Sequence, residues 1–447
     1  MWTYHPDLLA RPVPRYTSYP TAADFVDQVG ETEYAEALDR MASATPLSLY
    51  VHIPYCDQIC WYCGCNTGAA NRKHRLTDYL TALRAEIAMV AKRLGGRGRV
   101  QHIAFGGGSP NAITPVDFVR LLDRIMTVFD CSRPEISIEI DPRTFTSEWA
   151  LVLASSEVTR VSLGVQTFAP HIQAAIGRVQ PLEQIEQAMM GLRMRGIEAI
   201  NFDLMYGLPG QTLHDLNATL DETIRLAPSR IALFGYAHLP AMIPRQRRID
   251  ASNLPDDLAR FAQAQFGYEK LTQAGYVPIG FDHFALPSDP LAAAARENRV
   301  NRNFQGFTHD GASTLLGFGA SAISILPGLI VQNEKNAGPY RTLVSAGQLA
   351  ATRGVAPGPE EAKRGDIINA ILCRGRVTLD NKILPTARAA LTKFERRGLL
   401  FWEDATLVLA EGAQPYARVI AAQFDGYRGS IQPHSGPASL HSAAPAC

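Results

Sequence analysis

A group of closely spaced cysteines lies in the stretch Tyr50-Val-His-Ile-Pro-Tyr-Cys-Asp-Gln-Ile-Cys-Trp-Tyr-Cys-Gly-Cys-Asn-Thr67. Four of the seven cysteines of the chain are here, at positions 56, 60, 63 and 65. No secretory leader is expected at the start of the chain, so thiolates packed this closely are more plausible as metal ligands than as halves of disulfides, because the cytosol keeps thiols reduced. The first prediction is therefore a metal centre.

The number and spacing of these cysteines favour an iron–sulfur cluster over zinc. Structural zinc commonly uses two separated Cys-x-x-Cys pairs, and this chain has a single group. Cys56, Cys60 and Cys63 can hold three corners of an iron–sulfur cube. Cys65 is separated from Cys63 by a single glycine, a spacing that makes it geometrically difficult for both thiolates to bind the same cube. The interpretation is three ligands and one open iron, and a purely structural cysteine-rich loop is the alternative.

Composition describes an ordinary protein that acts on a small molecule. The 447 residues include 43 basic and 43 acidic side chains, and 46% of the chain is hydrophobic. This balance gives no electrostatic reason to expect nucleic acid or an anionic membrane as partner. The chain is predicted to be cytoplasmic, because no basic and apolar leader opens it. The long uncharged run 315–332 contains glycines and a proline, and predicts a buried strand and loop.

The fold class is predicted from alternating strand and helix patterns between residues 47 and 237. Helical stretches such as 80–94 and 213–224 repeat apolar residues at three and four positions, so each presents one apolar stripe to a sheet. Such a pattern is typical of an α/β fold built as a partial (β/α)6 TIM-like barrel, with its site at the carboxyl ends of the strands. The predicted strands are 47–53, 100–105, 135–140, 159–165, 198–206 and 230–237.

Glycines and isolated polar residues follow these predicted strands. Gly106-Gly-Gly-Ser-Pro110 comes after the second strand, where missing side chains allow a ligand to approach the backbone closely. Glu139, Gln166 and Asp203 each interrupt an apolar run near a strand end. One such residue is usually a hydrogen-bonded core group. Several at successive strand ends favour a binding site for a polar ligand.

Four segments are predicted along the chain. Residues 1–30 form an N-terminal extended arm, and 31–350 form the catalytic partial barrel with its extensions. Residues 351–425 form a mostly helical, winged-helix-like lid domain with helices at 361–373, 385–397 and 412–424. Residues 426–447 are rich in Gly, Ser, Pro and Ala and are predicted to be a disordered tail.

The spacing Cys-x-x-x-Cys-x-x-Cys resembles the signature of the radical S-adenosylmethionine enzymes. The resemblance extends well beyond the cysteines, across about residues 11–425, and it points to the oxygen-independent coproporphyrinogen III oxidases. The segments that carry it are Pro14-Arg-Tyr-Thr-Ser-Tyr-Pro20, Tyr50-Val-His-Ile-Pro54, the Cys-Gly-Cys that ends the cysteine group, Asp203-Leu-Met-Tyr-Gly-Leu-Pro209, Tyr236-Ala-His-Leu-Pro240, Asp282-His-Phe284 and Arg302-Asn-Phe-Gln-Gly306.

The resemblance implies a reaction, its cofactors and its partners. Two propionate side chains of coproporphyrinogen III would be oxidatively decarboxylated to vinyl groups, giving protoporphyrinogen IX for haem or chlorophyll synthesis. A [4Fe-4S] cluster would cleave S-adenosylmethionine reductively to a 5′-deoxyadenosyl radical, and two S-adenosylmethionine molecules are implied per chain. An unidentified reductant and an electron acceptor are required, and the chain is expected to be a monomer. A haem-binding chaperone on the same scaffold and a non-catalytic closed-cluster protein remain as alternatives.

The resemblance also implies roles for individual residues. The cluster ligands would be Cys56, Cys60 and Cys63, and Tyr50 and Glu139 are the candidate catalytic residues. The residues expected to contact the cluster-bound S-adenosylmethionine are Tyr50, Gly107, Glu139 and Ile323. The residues expected at the second S-adenosylmethionine are Tyr62, Gly108, Ser109, Gln166, Arg178, Asp203 and Ala237.

Overall fold

A large mixed sheet forms the centre of the computed structural model, which describes residues 2–70 and 73–429. The order of its 12 strands is β12-β11-β10-β9-β1-β2-β3-β4-β5-β6-β8-β7. The strands are β1 Pro46–Ile53, β2 Arg99–Gly107, β3 Asp130–Ile140, β4 Arg160–Gln166, β5 Ala199–Tyr206, β6 Arg230–Gly235, β7 Val277–Ile279, β8 His283–Ala285, β9 Thr314–Phe318, β10 Ile323–Leu326, β11 Leu329–Asn333 and β12 Ala351–Val355.

The six predicted strands are confirmed as β1 to β6, and each pairs in parallel with the next. A seventh parallel strand, β9, pairs with β1 on its other side, with Leu47 opposite Thr314. β9 continues into the antiparallel strands β10, β11 and β12. The uncharged run 315–332 is thus buried sheet, as predicted. On the opposite side, β8 pairs antiparallel with β6, and β7 pairs antiparallel with β8.

Helices cover the outside of the parallel strands and bury their apolar stripes against them. Leu83 and Ile87 of the first crossover helix are fully buried. Thr114 begins the next helix, because its Oγ1 accepts a hydrogen bond from the backbone of Asp117 at 3.1 Å. The helices of this region are Glu31–Asp39, Lys73–Leu94, Pro115–Val128, Ser147–Ser155, Pro170–Ala175, Leu182–Arg193, Leu213–Leu226, Asp257–Gln273, Pro290–Arg296 and Ala337–Ser345.

The C-terminal module differs from its prediction in three details. The module was predicted to begin at residue 351, but Ala351–Val355 is the edge strand β12 of the large sheet. The boundary at 351 is therefore wrong. The module itself contains helices Pro359–Arg374 and Leu384–Glu395 and a sheet of Arg376–Thr378, Leu400–Glu403 and Thr406–Leu409. The predicted helix 412–424 is broken into the α-helix Ala417–Ala421 between the 3-10 turns Gln414–Tyr416 and Ala422–Phe424.

The third detail concerns the predicted disordered tail. Gly426–Gly429 forms a helical turn, so the prediction is wrong for these residues. The backbone N–H of Gly426 donates to the hydroxyl of Tyr19 at 2.8 Å. The remainder, 430–447, lies outside the described residues.

The N-terminal arm packs between the barrel and the C-terminal module. Its described residues 2–30 form no β-strand, bend at several positions, and contain the helical turn Pro6–Leu9 and the 3-10 turn Ala22–Asp24. Leu8 and Tyr16 are buried in the same apolar cluster as Leu391 of the C-terminal module. Within the described ranges, no helix combines the length and the apolar character needed to cross a bilayer.

Candidate active site

Two adjoining cavities lie at the carboxyl ends of the parallel strands. The first, of about 250 Å³, receives residues from β2, β3, β4, β5 and β6 and from the cysteine loop. This convergence follows from the fold, because parallel strands bring their carboxyl ends to one edge. Most of the predicted site residues line it: Cys56, Cys60, Tyr62, Cys63, Gly107, Gly108, Ser109, Glu139, Gln166, Arg178, Asp203 and Ala237.

The second cavity, of about 470 Å³, lies against the N-terminal arm. It is lined by Tyr50 of β1 and Ile323 of β10, the two predicted residues that do not line the first cavity. Five residues belong to both cavities and form the passage between them: Arg15, Gly64, Cys65, Arg245 and Phe304. The predicted site residues therefore share one continuous region.

The cysteine loop is fixed by backbone pairing on both of its sides. Tyr55–Cys56 pairs in parallel with Gly68–Ala69, and the N–H of Trp61 donates to the carbonyl of Ile176 at 3.0 Å. A Cβ at Gly177 would lie 2.7 Å from the Trp61 ring, so this close approach requires glycine. The loop thus holds its cysteines against the sheet before any ligand is bound.

Three free thiols line the first cavity and suit a cluster better than a single ion. Cys56 and Cys60 are buried and Cys63 is partly buried. Among the described residues, no three Cys, His, Asp or Glu side chains are grouped closely enough to hold one metal ion. A [4Fe-4S] cube is larger, and each of its thiolates binds a different iron. All-thiol ligation beside a cavity is the donor set that such a cube takes.

The glycine run after β2 allows close packing of the cysteine loop. The N–H of Gly108 donates to the carbonyl of Ile53, and that of Ser109 to the carbonyl of Tyr55, both at 2.8 Å. A Cβ at Gly108 would lie 2.6 Å from the carbonyl oxygen of Tyr55. Gly107 has a φ of +117°, which side chains rarely adopt. A larger residue at Gly108 would displace the cysteine loop.

Two arginines and one aspartate surround the thiol of Cys60. Arg143 Nη2 and Arg178 Nη1 each lie 3.3 Å from Cys60 Sγ. Asp141 joins the two arginines through contacts of 2.6 Å to Arg143 and 3.3 Å to Arg178. Burial alone would raise the pKa of Asp141, but Arg178 and Arg143 outweigh burial and hold it below its ordinary value. Two cations therefore lie within contact distance of this proposed ligand sulfur.

Arg178 retains capacity to bind a ligand. Its Nη2 donates to the carbonyl of Gly164 at 2.5 Å, but its buried Nε has no hydrogen-bond partner among the described residues. A buried donor without a partner is costly, so a ligand acceptor in the cavity would satisfy it. Gln166 lies nearby with a φ of +68° at the irregular end of β4, and such strain is concentrated at functional sites.

Two carboxyl groups at the ends of β3 and β5 have raised pKa values. Burial, followed by the charge of Asp203, raises the pKa of Glu139 to about 7, although the N–H of Gly107 opposes this from 3.2 Å. Burial raises the pKa of Asp203 to about 6, against the effects of His283 and Arg178. Near neutral pH, Glu139 can therefore donate or accept a hydrogen bond.

Tyr50 is connected to a neutral histidine at the second cavity. The Tyr50 hydroxyl lies 3.2 Å from His52 Nδ1, and its ring packs edge-on against Phe304 at 4.6 Å. Burial lowers the pKa of His52 to about 4, so its imidazole is uncharged at neutral pH. Its Nε2 lies 3.4 Å from Ser321 Oγ. The contacts from Tyr50 to His52 and from His52 to Ser321 fix the Tyr50 hydroxyl in the wall of the cavity.

Comparisons with known proteins agree with this geometry. A sequence model of the radical SAM superfamily matches residues 50–223. The oxygen-independent coproporphyrinogen III oxidase of Bradyrhizobium diazoefficiens is 40% identical over 425 residues, covering 93% of this chain and 94% of the relative. The solved coproporphyrinogen III oxidase of Escherichia coli, described as a radical SAM enzyme, superposes with a TM-score of 0.89 at 34% identity. That match covers 95% of this chain and 99% of the other. The chain belongs to the oxygen-independent coproporphyrinogen III oxidase family.

Several polar residues of this coproporphyrinogen oxidase family member were not assigned from sequence. Asp141 and Arg143 follow β3 in the run Asp-Pro-Arg, where Asp141 begins a 3-10 turn by accepting from the Arg143 N–H at 3.1 Å. That local pattern signals a turn but carries no sign of contact with Cys60. Gln246 was missed as well, although its Nε2 donates to the carbonyls of Tyr62 at 2.8 Å and Ala237 at 3.1 Å.

Proposed function

We propose that this protein catalyses the oxygen-independent oxidative decarboxylation of two propionate side chains of coproporphyrinogen III to vinyl groups, giving protoporphyrinogen IX, with the electrons passing to a separate acceptor. The observation that carries the proposal is the meeting of three free thiols with Glu139, Asp203 and Arg178 in one cavity at the strand ends. The resemblance of the chain to members of its family over nearly their whole length supports the same reaction.

In this proposal Cys56, Cys60 and Cys63 hold a [4Fe-4S] cluster and leave one iron open. When bound, the cluster and S-adenosylmethionine supply one-electron chemistry that removes a hydrogen atom from an unactivated propionate carbon, which no protein base can do. The contribution of the chain is to bind, to orient and to exclude water. The arginines beside Cys60 lower the cost of placing thiolates in a half-buried loop.

The proposal includes two S-adenosylmethionine sites. Tyr50, Gly107, Glu139 and Ile323 serve the molecule on the open iron, and Glu139 accepts hydrogen bonds from its polar groups. The second site uses the free Nε of Arg178 for a carboxylate and Asp203 for hydroxyl groups. It is completed by Gly108, Ser109, Gln166 and the carbonyls of Tyr62 and Ala237.

Tyr50 acts in this proposal as a positioning group and Glu139 as an acceptor whose charge responds to the ligand. The hydroxyl of Tyr50 is held by neutral His52, so its orientation does not change across the physiological pH range. A raised pKa lets Glu139 ionise when a cationic ligand enters its neighbourhood. We further propose that the protein works as a monomer with a separate reductant and a separate electron acceptor.

Anaerobic turnover tests the proposed function. Reconstituted protein is incubated with a chemical reductant, S-adenosylmethionine and coproporphyrinogen III, and the products are identified by mass after oxidation to porphyrins. We expect loss of two carboxyl groups as carbon dioxide and formation of two vinyl groups. Cys60→Ala serves as the control without a cluster. Tight binding of haem with no decarboxylation by iron-loaded wild-type protein would overturn the proposal in favour of a haem chaperone.

A further inference from the structure

The larger cavity is lined by positive charge alone. Among the described residues, its wall includes Arg15, Arg245 and Lys335 and no aspartate or glutamate. The imidazole of His52, also in the wall, is neutral because burial lowers its pKa to about 4. Arg15 and Arg245 are half-buried, and the carboxylate that acts on Arg15, Asp282, is not part of this wall. An anionic occupant would therefore compensate the positive charge of the lining.

Arg15 reaches the passage between the cavities from the N-terminal arm. It is half-buried, and burial lowers its pKa from the ordinary value. Its guanidinium stacks over Phe234 at 5.0 Å, and Nη2 makes one long contact of 3.4 Å to the carbonyl of Gly235. Neither contact removes its charge. Most of its five N–H groups therefore remain available to a ligand.

Arg245 reaches the same passage from the 3-10 helix Pro244–Arg248. Its Nη1 donates to Thr67 Oγ1 at 2.8 Å, and its Nη2 to the carbonyl oxygens of Thr67 at 3.2 Å and Cys65 at 3.5 Å. All three acceptors are uncharged. These bonds hold the guanidinium in place, and no carboxylate of the part of the chain that the structure describes forms an ion pair with it. This is the arrangement of a preformed carboxylate site.

The charge of the two proposed ligands distinguishes between them as occupants. S-adenosylmethionine carries one carboxylate, but its sulfonium and ammonium groups make it a net cation, which the three positive side chains of this wall would repel. Coproporphyrinogen III carries four propionate carboxylates and no positive group. A macrocycle that spans the passage could place propionates on cations of both cavities. Charge complementarity therefore selects the tetrapyrrole.

We propose that Arg15, Arg245 and Lys335 bind propionate carboxylates of the tetrapyrrole and so present another propionate to the cysteine-lined cavity. This inference rests on the proposed function and assigns substrate recognition to these three residues. Arg15 and Arg245 line both cavities, whereas exposed Lys335 lies only on the larger one. The two arginines therefore contribute most to affinity, since buried charged hydrogen bonds are stronger than exposed ones.

Equilibrium binding to the reconstituted holoenzyme tests the inference without turnover. Coproporphyrinogen III and S-adenosylmethionine are titrated separately, under anaerobic conditions and without reductant. Arg245→Gln and Arg15→Gln should each raise the Kd for coproporphyrinogen III by about ten- to a hundredfold, as expected for loss of a charged hydrogen bond. Lys335→Gln should raise it by a few-fold at most. The Kd for S-adenosylmethionine should not increase in any of them.

Two exposed arginines provide matched controls. Arg247 lies on the same 3-10 helix as Arg245, and its Nε donates to the carbonyl of Pro240 at 3.4 Å. Arg11 lies on the same arm as Arg15 and is exposed. Arg247→Gln and Arg11→Gln should bind coproporphyrinogen III as the wild type does. Arg245→Lys keeps the charge and should recover most of the affinity lost in Arg245→Gln, which a purely structural role would not produce.

Three results would overturn the inference. Wild-type affinity for coproporphyrinogen III in both glutamine variants would remove the arginines from substrate binding. A raised Kd for S-adenosylmethionine with unchanged Kd for coproporphyrinogen III would assign them to the cofactor. Equal losses in Arg245→Gln and Arg245→Lys, with reduced iron content, would indicate a structural role. Failure of the proposed function itself is separate, because it appears as absence of vinyl products from the iron-loaded wild type.

Discussion

At the scale of single residues, the thiol of Cys60 lies in an electrostatic environment that a disulfide or a buried structural thiol would not need. Two guanidinium groups lie 3.3 Å from its sulfur. The third member of the group, Asp141, contacts both guanidinium groups. The cysteine spacing alone predicted the ligands, but the charged groups around Cys60 come from the segments that follow β3 and β4.

The first prediction concerns the three proposed ligands. Cys56→Ala, Cys60→Ala and Cys63→Ala should each lose most bound iron and all decarboxylation, because two remaining thiolates hold a cube poorly. Iron analysis after anaerobic reconstitution measures this. Cys131→Ala is the control, since that free, half-buried thiol lies on β3 and lines neither cavity. Full iron content in any of the three ligand variants would show that the assignment is wrong.

The second prediction concerns the pH dependence of stability. Glu139 has a pKa of about 7 in the folded protein against an ordinary value of 4.5. Between these values the unfolded chain ionises while the folded chain retains the proton, so the free energy of unfolding falls as pH rises from 4.5 to 7. Glu139→Gln should reduce this fall by roughly 2 kcal/mol after allowance for partial exposure.

Denaturant unfolding at pH 5 and pH 8, without added S-adenosylmethionine, measures the difference. Glu148→Gln serves as the control, because Glu148 is exposed on the helix Ser147–Ser155. An identical pH dependence in wild type and Glu139→Gln would mean that Glu139 is ionised in the folded protein.

At the scale of elements, a buried carboxyl group connects the first crossover helix to the wall of the second cavity. Glu86 accepts hydrogen bonds from the Gly319 N–H at 2.7 Å, Asn333 Nδ2 at 2.6 Å and the Tyr340 hydroxyl at 2.6 Å. Two turns earlier, the Tyr79 hydroxyl donates to the carbonyl of His52 at 2.7 Å. The helix thus aligns β1 with the turn between β9 and β10.

The third prediction is that Glu86→Ala weakens this alignment. Three buried donors would lose their acceptor, so the free energy of unfolding should fall by about 3 kcal/mol or more. Glu86→Gln keeps an acceptor oxygen and should lose less. Lys92→Ala, an exposed change on the same helix, is the control. Denaturant unfolding measures the effect, and a loss below about 1 kcal/mol in Glu86→Ala would contradict it.

The sheet shows which elements a sequence pattern can predict. β1 to β6 were found because consecutive βα units repeat a local rhythm, and their helices bury regular apolar stripes. For β9 the sequence predicts buried strand and loop, but not the strand with which it pairs. The pairing of Leu47 with Thr314 joins distant parts of the chain and leaves no local signal. The boundary at 351 failed for the same reason, because β12 is defined by its partner β11.

In the candidate site too, local patterns predict individual residues, whereas features that depend on long-range packing are not predicted. Strand-end residues such as Glu139 and Asp203 were predicted, because topology alone brings strand ends together. The division of the site into two cavities was not predicted, because it depends on where the arm and the segment of Arg245 pack. Arg15 was within a motif of the family resemblance but received no role, since its neighbours Phe234 and Gly235 are distant in sequence.

At the scale of the whole molecule, the N-terminal arm joins the barrel to the C-terminal module. Tyr16, only 4% exposed, donates its hydroxyl to Asp425 at 2.8 Å, and Tyr19 donates to Glu361 at 2.6 Å. The hydroxyl of Tyr416 donates to the carbonyl of Thr3 at 2.6 Å. Since Arg15 precedes Tyr16, the contacts that hold the arm on the C-terminal module also place a cation in the passage between the cavities.

The last prediction follows from this link. Tyr16→Phe keeps the ring but removes the hydrogen bond to Asp425, a carboxyl group that is itself buried, so the free energy of unfolding should fall by about 1 to 2 kcal/mol. The arm should also open more often, and its amide hydrogens between residues 12 and 20 should exchange faster. Tyr4→Phe is the control, because the Tyr4 ring packs on Phe261 at 5.1 Å and is retained. Hydrogen exchange followed by mass spectrometry measures both variants. Unchanged exchange in Tyr16→Phe would mean that apolar packing of the ring, rather than the bond to Asp425, holds the arm and with it Arg15.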